Sequence, residues 1–487
     1  MGSEITKIKV ITSLIWKLLE RIGVQGIQFL VTILLARLIL PEEFGLFVLV
    51  SIFIILANVF IQSGFNIALI QKKNADELDF SSVFFLNIFV ASICYIIFYL
   101  TSPYIATFFE QPQATTILRI LSITLFFGAI NSIQNAIIAR NMQFKKLFIS
   151  SISAVVISGI VGLAMAYAKL GIWALVAQQL TQQLVVTVNL LITVNWRPKF
   201  LFSFNRIKSL FSFGWKLLVS ALIDTLNNNI RNLIIGKMFS PASLAFYNRG
   251  EQFPSIIISN INSSIQSVLF PVLATEQDDR KRVKEIVRRS IVTSSFIIFP
   301  MMIGLGIVAE PVVQILLTDT WLPAVPFLQI FCAVYALWPI QTTNLQAINA
   351  IGRSDIFLRI EVIKKIIGLL VLVISIPFGI YGIALGIVCN GIIATFINSY
   401  PNIKLLNYSL FEQLRDVLPS FFISVIMGIV VFSIQFLNLM PLILLLIQIL
   451  VGIVVYICLA ILFKLECFSY LLSVVKELSK RKKHVTV

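Results

Sequence analysis

Fourteen apolar stretches, at roughly 11–38, 44–70, 81–103, 114–138, 147–168, 171–194, 209–236, 243–270, 290–312, 323–348, 358–377, 380–402, 413–436 and 441–463, limit what this chain can become. Each is close to the ~20 residues an α-helix needs to cross roughly 30 Å of hydrocarbon at about 1.5 Å per residue. Within lipid, backbone donors and acceptors must be satisfied by the chain itself, and runs this long do so as helices. With 58% hydrophobic and 12% charged residues among 487, no length remains for a sizeable soluble domain. The expected fold is an all-α polytopic membrane protein with about 14 transmembrane helices.

An even number of spans puts both termini on one side. Most of the 38 basic residues fall in the loops of that side, from Lys72, Lys73, Arg140, Lys145 and Lys146 through Arg280, Lys281 and Arg282 to Lys480, Arg481, Lys482 and Lys483. Loops and helix ends opposite hold Arg37, Arg119, Lys169, Lys237 and Arg249. The positive-inside rule therefore makes both termini cytoplasmic. Anionic lipid headgroups and membrane orientation account for the formal charge of +16, and no nucleic-acid partner is needed.

MGSEITKIKV runs into the first span without a cleavage site, so that segment is expected to stay attached. Gly2 with Thr6 fits a short myristoylation pattern that chance also produces, and the spans already anchor the chain. Cys94, Cys332, Cys389, Cys458 and Cys467 include no CxxC pair and read as small core residues. The single histidine, His484, lies in the charged tail, which excludes a zinc site or a Ser-His pair: metal none, catalytic residues none.

A weak internal repeat divides the spans. Trp16-Lys17-Leu18-Leu19 recurs as Trp215-Lys216-Leu217-Leu218; Gln134-Asn135-Ala136-Ile137 with Arg140 is echoed by Gln346-Ala347-Ile348-Asn349 with Arg353; Gly171-Ile172 is echoed by Gly382-Ile383. The offset grows from about 200 to about 212, and the longer basic loop Thr275 to Arg289 supplies the insertion. The expected organisation is an N-terminal six-helix bundle (1–194), a cytoplasmic linker (195–208), a C-terminal six-helix bundle (209–402), two extra helices (403–463) and a basic tail (464–487) that reads as a lipid-surface anchor. Because six is even, the two bundles share an orientation, in a parallel pseudo-twofold arrangement.

Several spans carry polar stripes that lipid would reject. In the seventh, Lys216, Ser220, Asp224, Asn227 with Asn228, and Arg231 keep to one helical face, and a charge near mid-bilayer costs roughly 2.5–3.5 kcal/mol on the lenient scale. Lys17, Glu20 and Arg21, with Gln25 and Gln28, do the same in the first span, although side chains near a helix end can also snorkel. Asn248, Gln252, Ser255, Ser259, Asn262 and Gln266 line the eighth, and Asn58, Gln62 and Asn66 the second. Asn131, Gln134 and Asn135 on the fourth span, Gln178, Gln179, Gln182 and Gln183 on the sixth, and Gln341, Asn344, Gln346 and Asn349 on the tenth suit sugar hydroxyls as well as helix pairing. The stripes on the first, second, seventh and eighth helices together favour a shared polar lumen. Gly379, Gly382, Gly386 and Gly391 of the twelfth span read as structural.

This architecture, with Phe246-Tyr247-Asn248-Arg249-Gly250-Glu251-Gln252 followed by Ser267-Val268-Leu269-Phe270-Pro271, resembles the polysaccharide transporter (oligosaccharide and lipopolysaccharide flippase) branch of the multidrug/oligosaccharidyl-lipid/polysaccharide exporter superfamily. Gly250 stands where that signature carries alanine, a departure in packing more than in chemistry. The resemblance implies translocation of an undecaprenyl-pyrophosphate-linked oligosaccharide, an O-antigen or exopolysaccharide repeat unit, across a bacterial plasma membrane. Alternating access would come from rocking of spans 1–6 against 7–12.

An anionic pyrophosphate wants basic groups, and Lys17, Arg21, Lys216, Arg231 and Arg249 with Asn228, Asn248 and Gln252 are the candidate cavity residues. Glu20, Asp224 and Glu251 are candidates for ion coupling or charge pairing. No cofactor is implied beyond a proton or sodium gradient; anionic membrane lipids and polysaccharide polymerase machinery are the implied partners. A multidrug exporter of the same fold is the alternative, though its cationic substrates would favour acidic groups. A membrane glycosyltransferase, ligase or polymerase would need a larger outward loop than those offering Glu42, Glu43, Glu110, Glu310 and Asp319. A scaffold would have no need of intramembrane charge.

Overall fold

The structure, a computed structural model, describes residues 7–62, 64–437 and 439–473. Expectations for Gly2 with Thr6, and for the tail beyond residue 473 with His484, fall outside those residues. Every regular element described is helical: α1 (Lys7–Ala36), α2 (Pro41–Gln62), α3 (Phe65–Gln71), α4 (Glu77–Phe108), α5 (Ala114–Leu121), α6 (Thr124–Asn141), α7 (Phe144–Tyr167), α8 (Ile172–Thr193) and α9 (Phe204–Met238). There follow α10 (Pro241–Thr275), α11 (Arg280–Ile307), α12 (Ala309–Leu317), α13 (Val325–Ala336), α14 (Trp338–Ala350), α15 (Ser354–Ser375), α16 (Gly379–Leu406), α17 (Leu410–Ser433) and α18 (Pro441–Leu462). Sequence punctuation sets many of the ends. Pro41, Pro241 and Pro441 open helices where a missing N–H costs nothing, and Asp76 and Ser409 form capping boxes with Asp79 and Glu412.

Among the described residues, twelve stretches are long and apolar enough to cross a membrane, and the bent α9 makes a thirteenth. One of the twelve, Ser354–Leu406, has 53 residues, more than twice the length of a span, and turns back at Ile376–Phe378 between α15 and α16. Counted as two, it brings the total to the fourteen that hydropathy requires. The chain forms two compact units, Met1–Ala245 and Phe246–Val487.

In the first unit, Ile61, Ile117, Leu118, Leu125 and Ala129, all fully buried, centre a core built from α2, α5 and α6. Two long helices depart from straight rods. The second span is broken at Gly64, whose φ of +89° suits a residue without a side chain. The seventh bends by 58° between Ser212 and Gly214. The two breaks touch: a Cβ on Gly64 would lie 2.5 Å from the Gly214 carbonyl oxygen, so only glycine permits this backbone contact. Farther along α9, Gly236 admits Leu49 of α2, while Gly45 of α2 lies flat against the Pro241 backbone.

A charged latch closes the end of this unit. The Lys72 ammonium donates to both oxygens of the fully buried Asp79 at 2.6 Å, and Arg206 pairs with Asp76 at 3.1 Å. Asp76 caps α4, and the bond it accepts from the Asp79 N–H, aided by Arg206, holds its carboxyl below the usual range. That contribution is complete above the ordinary carboxylate pKa of about 3.9 and disappears only as the pH falls through the lowered value. Arg140 donates to the carbonyls of Leu69, Lys72 and Lys73, satisfying the end of α3. The segment expected as a linker is tied down: the N–H groups of Lys199 and Ser203 donate to Ser81 and Ser82 at 3.2 and 3.0 Å, and α9 already begins at Phe204.

In the second unit, Leu273, Val283, Val287, Ile291, Ala347 and Ile348 are fully buried at the centre of the core. A buried amide network joins three helices across it. Asn344 of α14 donates to Gln413 of α17 at 2.7 Å and accepts from Asn402 of α16 at 2.6 Å. At the far side α18 docks on α11 and α17, and the Tyr456 hydroxyl donates to the Phe296 carbonyl at 2.6 Å. All five cysteines are free. Cys332 and Cys467 are buried as expected, whereas Cys389 and Cys458 are exposed on α16 and α18. A membrane-facing surface is itself apolar, which removes the need to bury them.

Asp79→Ala leaves the Lys72 ammonium without its carboxylate and should destabilise the fold by about 3 kcal/mol. Temperature-dependent loss of the monodisperse detergent-solubilised protein measures this, against Glu110→Ala as an exposed-pair control.

Candidate functional site

The charge stripes lie on helices that contribute little to the cores. No residue from Ile15 to Leu30 of α1 with a described side chain is buried, and none from Trp215 to Ile234 of α9. Both helices belong to the first unit, where α1 leans on α7 and α9 on α2, α3 and α4. Lys17 is exposed, with its ammonium 5.2 Å from the Phe144 ring of α7; neighbouring Trp16 meets Phe148 at 5.2 Å with the rings tilted by 52°. Arg21 is exposed and Glu20 half-buried. On α9, Lys216, Asp224 and Asn228 are exposed and Arg231 is half-buried.

Pairing of Asp224 with Arg231 and of Glu20 with Arg21 does not form. Neither Arg231 nor Glu20 has an oppositely charged group within 4.0 Å among the described residues. The reason for Arg231 is geometric, since seven residues of helix rise about 10 Å.

The remaining candidates sit on α10 in the second unit, against an aromatic wall. Tyr247, almost fully buried, meets Phe327 and Phe331 edge-on at 5.9 and 5.2 Å, and Phe246 meets the fully buried Trp321 at 5.9 Å. The Arg249 guanidinium lies 5.6 Å from the Trp321 ring centre and donates to Gln252. Glu251 accepts from the Tyr335 hydroxyl at 2.9 Å. Asn248 is half-buried beside them. Gly250 explains the departure from alanine: a Cβ there would lie 2.5 Å from the Phe327 Cβ and 2.7 Å from the Leu328 N, so α10 touches α13 backbone to backbone.

The wall is what sequence reasoning missed. Phe327, Phe331, Tyr335 and Trp338 recur at i, i+4, i+8 and i+11, a stripe present in the sequence but hidden among so many apolar residues. The amides divide by role. Gln341 and Asn344, candidates for sugar contacts, are spent on helix pairing, Gln341 donating to the Gly391 carbonyl and Thr395 at 2.9 and 3.0 Å. Asn58 rests on Gly128 of α6 and accepts from Gln62 at 3.3 Å. Asn66, Asn131, Gln134 and Asn135 carry buried side-chain oxygens with no donor among the described residues, a polar seam between α2–α3 and α6.

Comparison of the whole fold places the chain in a class. It superposes on an inward-closed structure of the lipid II flippase MurJ with a TM-score of 0.74 at 18% identity, covering 93% of this chain and 98% of that one. An inward-facing multidrug resistance MATE family transporter of the MOP superfamily gives 0.60 at 15% identity, over 83% and 98%. The fold is therefore the all-α, polytopic one of these two structures. The chain belongs to the polysaccharide biosynthesis protein family, which matches residues 34–326.

Among curated relatives, the teichuronic acid biosynthesis protein TuaB of Bacillus subtilis (strain 168) is 27% identical over 62% of this chain and 63% of its own length. The succinoglycan biosynthesis transport protein ExoT of Rhizobium meliloti (strain 1021) is 24% identical over 70% and 69%. The lipopolysaccharide biosynthesis protein WzxC of Escherichia coli (strain K12) is 23% identical over 83% of each chain.

Gly250→Leu should overpack the α10–α13 contact and cost about 1–3 kcal/mol, with Gly250→Ala at the lower end. Melting of the purified variants reads the order; equal stability of Gly250→Leu and the parent would remove this contact from the account.

Proposed function

We propose that the chain moves an oligosaccharide, joined through pyrophosphate to a polyprenyl carrier, from the inner to the outer leaflet of a bacterial plasma membrane by alternating access. One observation carries the reading: α1 and α9 run for many residues without a buried side chain, yet hold Lys17, Arg21, Lys216 and Arg231. Ionised groups at that depth are sustained by water or by an anionic permeant, not by acyl chains. Arg249, over Trp321 in the second unit, is the further cation we assign to the pyrophosphate. A cleft of about 630 Å³ lined by Phe299, Ile303, Leu337, Ile392 and Phe421 suits the prenyl tail. Names of relatives in teichuronic acid, succinoglycan and lipopolysaccharide biosynthesis support the substrate class, and the MurJ-like fold supports lipid flipping.

A drug exporter fits less well. The MATE-like fold is shared, but the polar stripes carry more basic than acidic groups, the wrong sign for a cationic permeant. Coupling to a proton or sodium gradient is assigned to Asp224, the carboxylate on the α9 stripe.

Arg231→Glu should lower surface polysaccharide about tenfold or more at unchanged protein level. Polymer equal to wild type would remove Arg231 from the pathway. With Asp224→Asn, transport into inverted vesicles should lose its response to an imposed ion gradient; an undiminished response would leave Asp224 no coupling role.

A further inference from the structure

A cavity of about 580 Å³ opens in the second unit where α11 and α17 begin and where the chain leaves α18. Arg288, Arg289, Arg415 and Lys464 line it, with Glu285, Asp416 and Glu466 between them. These charges are not equivalent. Arg288 is committed to Asp416 through two bonds of 2.8 and 2.7 Å, and Asp416 also accepts from the Tyr408 hydroxyl at 2.8 Å. Arg289 lies over the Tyr470 ring at 4.9 Å. Arg289, Arg415 and Lys464 have no carboxylate within 4.0 Å among the described residues.

The surface around the cavity changes character at this level. Arg415 is followed along α17 by exposed Leu418, Phe421 and Phe422, and Lys464 is preceded by exposed Ile461, Leu462 and Phe463. Apolar side chains exposed on a spanning helix meet acyl chains, so the charges just beyond them stand at headgroup depth. The wall is firm: Cys467 is buried, and Phe468 and Leu471 pack into the same core as Phe296 and Tyr456.

We infer that this cavity binds the phosphodiester headgroup of an anionic membrane phospholipid, with Arg415 and Lys464 holding the phosphate and the acyl chains lying along Phe422 and Leu462. Four basic groups against three acidic ones leave a single positive charge, which matches one phosphodiester and not a more highly charged pyrophosphate. The cavity shares no residue with the α1, α9 and α10 stripes, and the inference does not depend on the transport reading.

The test uses the full chain in nanodiscs of equal phosphatidylglycerol and phosphatidylcholine, with retained lipid read by native mass spectrometry after detergent extraction. Wild type should keep phosphatidylglycerol in preference to phosphatidylcholine, and Arg415→Gln with Lys464→Gln should lose that preference about tenfold. Arg359→Gln, on exposed α15 outside the cavity, should retain it. Should the double variant fail to assemble, each single substitution is read alone, with about a threefold loss expected. Equal retention by wild type and the Arg415 and Lys464 variants, no preference in wild type, an equal loss in Arg359→Gln, or displacement by millimolar inorganic phosphate would each overturn the proposal.

Discussion

Hydrocarbon offers a backbone nothing to bond to, so a helix that breaks within it must be repaired by the protein itself, and helix ends at its edge are closed in the same way here. The fold can be read as a set of such repairs. The carbonyls freed where α3 ends are taken by Arg140, and the N–H groups at the start of α4 by the Asp76–Asp79 capping box. The break before α3 and the bend in α9 are placed against each other, glycine on glycine, which keeps both irregular segments inside protein. The start of α11 is served in the same way, with the Asp279 carboxylate accepting from the N–H groups of Lys281 and Arg282.

Polar side chains within the spans then fall into two populations with different surroundings. Asn344, Asn402 and Gln413 are buried and bonded to one another, which fixes three helices in register. Lys216, Asp224 and Asn228 are exposed on a helix with no buried residue from Trp215 to Ile234. Within the first unit, α9 leans on α2, α3 and α4. The α10 motif lies between these extremes, its Tyr247 and Gly250 packed and its Arg249 held over an indole ring.

Much of this was legible in the sequence because it depends on short-range periodicity. Apolar runs mark the spans, and the i, i+4 recurrence from Lys216 to Arg231 marks the α9 stripe. Partnerships across long sequence separations were not legible. That Asn344 would bond to Gln413 and not await a sugar depends on α14 lying beside α17, and neither residue carries that information. Gly250 looked like a mild departure because its neighbours, Phe327 and Leu328, are distant in the chain. Charge alone does not tell whether Asp224 can reach Arg231, since seven residues of helix rise about 10 Å.

The 58° bend in α9 has a mechanical consequence. A straight rod turned about its own axis merely spins in place. A cranked one converts the same twist into a sideways sweep of its other arm, here the arm that bears Lys216, Asp224 and Arg231. Torsion applied at Phe204–Ser212 would carry those charges sideways about the contact between Gly64 and Gly214.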